Sequence, residues 1–502
     1  MSSRQPLADD LSVEHLQADL RGHSVRGGML TLTSQGAQFL IQSVATVVLA
    51  RLLTPIDFGL VAMVTAITIL AQGFADLGLS EATIQRKEIT RDQVSALFWI
   101  NLAVGLGLTL ITASLAPVFA RFYREPRLVG ITLVLSLTFL IGGLRVQPEA
   151  LLKRQMRFSS LAIRDVASSA LAVPVAIAMA WRGFGYWAIV ALPLTLNFVQ
   201  MTVSWWMVDW RPGPPRRGAN VASMVAFGGH VAASYLIFNL NRNADNVLIG
   251  WYSGAAPLGL YSRAYNLLML PVRQLSGPAG SVAIPAFSKI QGDPERVARY
   301  YLRAINLIMW ISAPIFGFLF VAADPVIVLL LGHQWREAAP VFQILAVSAF
   351  GQLFLESTIW LLVSRGQSDR LFKLLLFISP VVLGSFAIGL PFGIKGVAFS
   401  GSLVLIGMLP WILHFTFRGT NLTLQRVGRA LVYPFVPCLV GICFSELAMH
   451  IVAPHRILFQ LMVVALGFAV AYLLSALIRP IREEIMSFKQ LLSELRPSNE
   501  AA

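Results

Sequence analysis

The chain has 502 residues, of which 56% are hydrophobic and only 13% charged, with a net charge of +14 and a mean hydropathy of +0.69. A soluble protein of this length carries about 25% charged residues, so the composition excludes a water-soluble fold and points to a bilayer. The two cysteines, Cys438 and Cys443, share one late apolar segment and show no disulfide or zinc spacing. In a membrane chain a basic excess belongs to cytoplasmic loops rather than to nucleic acid.

The first 28 residues are polar and lack the short apolar core and cleavage site of a removable signal. Leu11, Leu16 and Leu20 would line one face of a short amphipathic helix there. A hydrocarbon core of about 30 Å takes about 20 apolar residues per helix. Apolar runs bounded by charge, Gly and Pro predict fourteen helices: 29–50, 58–79, 94–119, 127–146, 165–181, 184–207, 222–241, 257–282, 302–323, 339–363, 373–391, 396–416, 430–451 and 457–478. The segment PVIVLLL, 325–331, is too short to span and reads as a surface or re-entrant piece before His333.

With a cytoplasmic N-terminus, the cytoplasmic loops are 80–93, 147–164, 208–221, 283–301, 364–372 and 417–429. Together with their margins they hold more than twice the Lys and Arg of the opposite loops, against the local cluster Arg121, Arg124 and Arg127. An even number of spans then leaves both termini cytoplasmic.

The apolar run at LARLLTPIDFGLVAMV, 49–64, breaks and resumes, and IGWYSGAAPLGLYSRA, 249–264, does the same. At an offset of 200, Gly59-Leu60 falls on Gly259-Leu260; later landmarks such as Leu151-Leu152 and Leu361-Leu362 recur at an offset near 210. Such internal repeats are common in transporters. The predicted fold class is therefore an all-α polytopic membrane protein of about 14 transmembrane helices, two six-helix lobes plus two C-terminal helices. Its divisions are a cytoplasmic segment 1–28, an N-lobe 29–207, a Pro- and Arg-rich linker 208–221, a C-lobe 222–416, the last two helices within 430–478, and a cytoplasmic tail 479–502. Two lobes in the same orientation suggest a transporter that rocks between inward-open and outward-open states.

The stretches ARLLTPIDFGLVAM (50–63), ADNVLIG (244–250), LGLYSRAYNL (258–267) and LLLGHQWREAAPVFQIL (329–345) resemble the polysaccharide exporter family. That family contains the Wzx-type and colanic-acid-type flippases of the multidrug/oligosaccharidyl-lipid/polysaccharide superfamily. The resemblance covers about residues 20–480. It implies movement of undecaprenyl-diphosphate-linked oligosaccharide across a bacterial inner membrane, with membrane lipids and polymerase or chain-length machinery as partners. No nucleic acid or cofactor is implied, and a monomer is expected.

A charge at bilayer depth costs at least about 2.5 kcal/mol, so each one needs a cavity, a partner or an interface. In the eighth predicted helix, Arg263, Asn266, Arg273 and Gln274 fall within a sector of roughly 100°. Two guanidiniums there suit bidentate recognition of a diphosphate and a sugar acid, with interfacial snorkelling as the alternative for Arg263. Thr31, Gln35, Gln38 and Gln42 make a polar stripe on the first helix, which in lipid must face protein or water. Asp76 is an isolated acid of the second helix, suited to pairing with a cavity Arg or taking a proton, or else to fixing helix packing. His230, Asn241, Arg242 and Asp245 make a polar end to the seventh helix, read either as an ion or gate site or as a structural Arg–Asp clamp. Glu356 is a further isolated acid. Trp181, Trp187, Trp205, Trp206, Trp210 and Trp251 read as interfacial belts.

Two other function classes compete with a flippase. A cation-coupled drug exporter would want buried acids, whereas the deep charges here are mainly Arg. A membrane polymerase or ligase would show a large extramembrane loop, and no nucleophile–base pair, metal cluster or phosphate-cradling Gly loop is present in the sequence. The chain is thus expected not to be an enzyme.

Overall fold

A computed structural model describes residues 20–76, 78–86, 89–214, 242–452, 456–478 and 482, without the side chains of 20–32, 75, 76, 82 and 85. Among the described residues there is no strand, and ten helical stretches are long and apolar enough to cross a membrane. The predicted all-α polytopic class holds. Each predicted span except 222–241 coincides with a described helix; that one lies outside the described residues.

The chain divides into two compact units, Met1–Gly259 and Leu260–Ala502. The first contains α1 (Leu20–Leu52), α2 (Pro55–Asp76), α3 (Leu79–Gln85), α4 (Arg91–Ser114), α5 (Ala116–Tyr123), α6 (Leu128–Arg154), α7 (Phe158–Trp181) and α8 (Tyr186–Met207). It also contains α9, described over 242–253, and the first turn of α10 (Ala255–Ile290). α6 is central, packed against α2, α3, α4, α5 and α8, while α7 pairs with both α8 and α1.

The second unit continues α10 and adds α11 (Pro294–Val321), α12 (Ala323–Leu331), α13 (Ala339–Ser364), α14 (Ser368–Gly389), α15 (Gly393–Phe417), α16 (Leu424–Val452) and α17 (Ile457–Ser475). Its internal pairings repeat those of the first: α11 on α13 as α4 on α6, α14 on α15 as α7 on α8, and α13 on α15 as α6 on α8. The last helices α16 and α17 pack on each other and on α11. α12 is the short apolar piece predicted at 325–331, packed on α13 and α17.

The break within 49–64 is a helix start written in the side chains. Thr54 caps α2: its backbone N–H and hydroxyl both donate to Asp57 Oδ2, at 2.9 and 2.7 Å. Pro55 occupies the first helical position, where its missing N–H costs nothing. In the echo at 249–264 the turn is a single residue, Gly254, at φ +88°. Only a residue without Cβ takes that conformation cheaply, and α10 resumes directly after it. Near this turn, a Cβ on Gly59 would stand 1.7 Å from the Ala255 carbonyl oxygen, and one on Gly259 would stand 1.9 Å from that of Pro55. Backbones meet there because neither residue has a side chain.

Arginines just past the central helix tie down the final helix of each repeat. Arg157 donates to the Met207 carbonyl at 2.9 Å, and Arg365 and Arg370 donate to the Gly419 and Arg418 carbonyls at 2.8 and 3.1 Å. The carbonyls at a helix C-terminus lack intrahelical donors, so a cation there is stabilising.

Three predicted loops are corrected. The segment 147–164 is helical except for Gln155–Arg157, 283–301 except for Gln291–Asp293, and 364–372 except for Arg365–Gln367. Much of the charge in these segments sits on helices, so charge does not mark the helix end. The Trp belt is also corrected in part. Trp181 and Trp206 are exposed, but Trp210 is buried, stacked on Trp205 with centroids 6.0 Å apart and set edge-on to Phe98.

Candidate functional site

α10 has 36 residues and so extends about 54 Å, well beyond a hydrocarbon core of about 30 Å. Ala264, Leu268, Met269, Val272 and Phe287 pack inward, though Val282 is exposed and Ser262 and Ser276 are buried. Asn266, Arg273, Gln274, Gly277 and Ser281 are exposed, and Arg263 is half-buried. This inverts the surface of a lipid-facing helix. Arg273 lies at the middle of α10, where lipid would make an exposed guanidinium costly. Asn266, Arg273 and Gln274 share this face, whereas the Nε of Arg263, grouped with them by helical spacing, is buried.

On α1, Gln35 and Gln42 are exposed and Gln38 is half-buried, and α1 rests on α7. The Thr31 side chain lies outside the described residues. α2 adds two exposed polar positions seven residues apart, Thr65 and Gln72, on an otherwise largely buried helix. Asp76 is the last described residue of α2 before the undescribed residue 77, and its side chain lies outside the description.

Of the polar end predicted around 230–245, His230 and Asn241 lie outside the described residues. Asp245 is buried at 4% exposure and Arg242 is exposed. Both lie inside α9, because the helix continues to Ser253, twelve residues past the predicted end. Glu356 is half-buried in α13. Trp251 is exposed on α9 and stacks on Phe122 of α5 at 6.3 Å. Among the described residues no group of three or more His, Cys, Asp or Glu side chains is placed to hold a metal ion.

One polar assembly in the first unit was not singled out by sequence reasoning. Glu149 of α6 receives Lys153 at 2.9 Å, Arg164 of α7 at 3.0 Å and Arg145 at 3.5 Å. Arg164, only 5% exposed, also holds Asp165 at 2.7 Å. Gln200 of α8 donates to Asp165 Oδ1 at 3.2 Å and accepts from Arg145. Three cations and two carboxylates thus join α6, α7 and α8, each carboxylate facing more than one donor. On the other side of α6, Arg154 donates to the Thr83 carbonyl at 2.9 Å and Gln147 accepts from the Thr83 hydroxyl at 3.0 Å, which fastens α3. A signal was available: Arg145, Glu149 and Lys153 stand at i, i+4 and i+8, the spacing that puts opposite charges on one helix face.

Between α5 and α6, Glu125 accepts from Arg127 in a bidentate pair, at 2.8 and 2.9 Å. The Arg127 hydrogen bond holds the Glu125 carboxyl below its ordinary value, and Glu125 in turn raises the Arg127 guanidinium.

A family model described as polysaccharide biosynthesis protein matches residues 48–340. The teichuronic acid biosynthesis protein TuaB of Bacillus subtilis is 27% identical over 339 residues, 66% of this chain and 69% of that protein. The lipopolysaccharide biosynthesis protein WzxC of Escherichia coli is 26% identical over 348 residues, 67% of this chain and 70% of that protein. Among solved structures, the lipid II flippase MurJ in an inward closed conformation gives a TM-score of 0.72 at 12% identity, covering 91% of this chain and 100% of its own. An inward-facing multidrug resistance MATE family transporter of the MOP superfamily gives 0.61 at 16% identity, covering 76% and 95%. At these identities the two structures establish a shared fold.

Proposed function

Since the chain belongs to the polysaccharide biosynthesis protein family, we propose that it is a flippase for undecaprenyl-diphosphate-linked oligosaccharide units. It carries them across the bacterial inner membrane for surface polysaccharide assembly. The observation that carries this reading is the exposed polar face of α10, with Arg273 at mid-helix in a chain whose other exposed helix faces are largely apolar. A polar headgroup needs such a path, while its polyprenyl tail stays in lipid. Arg273 takes the diphosphate or an acidic sugar by charge-assisted hydrogen bonds, and Arg263, Asn266 and Gln274 flank it. Gln35, Gln38 and Gln42 offer neutral donors and acceptors to sugar hydroxyls. Asp76 belongs with these cavity residues, and Arg242, Asp245 and Glu356, with His230 and Asn241, are assigned to gating or ion coupling.

The path is exposed in turn to each side of the membrane, so the protein works by alternating access. Both termini lie in the cytoplasm, and the protein acts as a monomer that delivers units to polymerase machinery. The lobes are 29–207 and 222–416, joined through 208–221. Export of organic cations is disfavoured by α10 itself, which carries Arg263, Arg273 and Lys289 and no carboxylate.

Deleting the gene in its native host tests the reading. Lipid-linked oligosaccharide is expected to accumulate on the inner leaflet while surface polymer is lost. Normal surface polymer without accumulation would remove the assignment.

A further inference from the structure

α10 contains three interior prolines, Pro271, Pro278 and Pro285. The spacing is seven residues each time, a rotation of about −20° per step, so all three lie on one stripe. A proline has no N–H to give the carbonyl four residues earlier and costs a helix interior about 3 kcal/mol. The carbonyls of Leu267, Gln274 and Ser281 therefore lose their i+4 donors, one every 10.5 Å or so along the axis. Within a bilayer each such group must be met by protein, water or ligand.

The stripe borders the exposed face that carries Arg273, with Leu267 and Pro271 half-buried at its start. Gln274, Pro278, Ser281 and Pro285 are exposed, and a Cβ built at Gly277 would meet nothing within 4 Å. A ligand can therefore approach the freed Gln274 carbonyl without displacing protein. The Ser281 hydroxyl is turned to the Pro278 carbonyl at 2.7 Å, away from the freed groups. The geometry points to a track of backbone acceptors on α10, the carbonyls of Leu267, Gln274 and Ser281, that receives the hydroxyl groups of a neutral sugar chain beside the anion-binding Arg273. This deepens the flippase reading and rests on it.

Hydroxyl donors fit better than metal cations. Single carbonyls this far apart cannot supply the several oxygens a hard cation takes, and the guanidinium of Arg273 repels cations from the same face. Backbone acceptors also suit a carrier of varied sugars, because they register hydroxyl groups without the shape demands of a side-chain pocket.

The test uses the full chain in lipid nanodiscs with two probes, maltoheptaose as neutral glycan and inorganic diphosphate as anion. Pro278→Ala restores the N–H that occupies the Gln274 carbonyl. It is expected to weaken maltoheptaose binding about two- to tenfold, the range of one hydrogen bond, and to leave diphosphate binding unchanged. Arg273→Ala should do the reverse. Replacing residue 278 by the α-hydroxy-acid analogue of alanine removes both ring and N–H, and should retain wild-type glycan binding.

No maltoheptaose binding by the wild type, equal binding by Pro278→Ala, or loss in the hydroxy-acid variant as large as in Pro278→Ala would overturn the track; the last outcome assigns the effect to the ring's bend. Competition of sodium with maltoheptaose would replace it with a cation site. The flippase reading fails separately, if deletion causes no accumulation of lipid-linked glycan while maltoheptaose binding follows the expected pattern.

Discussion

Gly59 and Gly259, two hundred residues apart, make reciprocal backbone approaches. Each stands against the carbonyl at the other's helix start, Gly59 on Ala255 and Gly259 on Pro55. The two helix starts thus meet through equivalent positions of the repeat, and no side chain larger than hydrogen fits at either. Gly59→Ala and Gly259→Ala are each expected to destabilise the protein by at least the 1–3 kcal/mol or so of an overpacked core. Gly142→Ala, where an added Cβ meets nothing within 4 Å, should be neutral or stabilising by helix propensity. Melting of the purified protein in detergent checks the contrast, and equal melting temperatures for all three would refute the close approach.

Arg164 depends on Glu149 and Asp165 for its burial. Glu149→Ala should cost about 3 kcal/mol, the lower end of the loss when a buried pair is broken. Lys153→Ala, at a 43% exposed side chain, should stay within about 0.5 kcal/mol. A double-mutant cycle of Glu149→Ala with Arg164→Leu should show coupling of about 0.5–3 kcal/mol. Additive effects would mean that the two residues do not share a network.

Arg273 is exposed and offers little to stability, so Arg273→Ala should leave insertion and melting unchanged. Surface polymer should fall by at least an order of magnitude. Arg273→Lys keeps the charge but loses the planar fork and should recover only part of it. Normal polymer yield at native expression from Arg273→Ala would take this residue out of the mechanism.

The Glu125–Arg127 pair gives a signed pH dependence. The carboxyl's value is lowered in the fold, so its contribution is complete above the ordinary glutamate value of about 4.3. It is lost as pH falls through the lowered value. Glu125→Gln should therefore melt below the wild type at pH 7, and the two should converge on acidification. A difference that grows toward acid would reverse the sign and refute the pairing.

The placement of helices was largely legible because apolar length is set by the bilayer. Both turns of the repeat were legible too, at Thr54-Pro55 and around Gly254. What was misread shares one cause. Arg145, Glu149 and Lys153 were counted as single charges marking a loop, whereas in the fold they cancel as a ladder on a continuing helix. The prolines of α10 were likewise read past, since periodicity weighs side chains and the effect of a proline falls on a carbonyl four residues away. Trp210 was taken for an interfacial residue because it sits near a span end, yet it turns inward onto Phe98 and Trp205. The ladder left a trace in its i, i+4 and i+8 spacing that went unread, whereas inward turning leaves none.

The ion-pair ladder of α6 has no counterpart in the second unit. At the offset of 210 that aligns α6 and α7 with α13 and α14, the places of Arg145, Glu149, Lys153, Arg164 and Asp165 are taken by Leu355, Ile359, Val363, Leu374 and Leu375. The two repeats therefore share a helix plan, but at these positions only the first ties its central helix to its neighbours by charge.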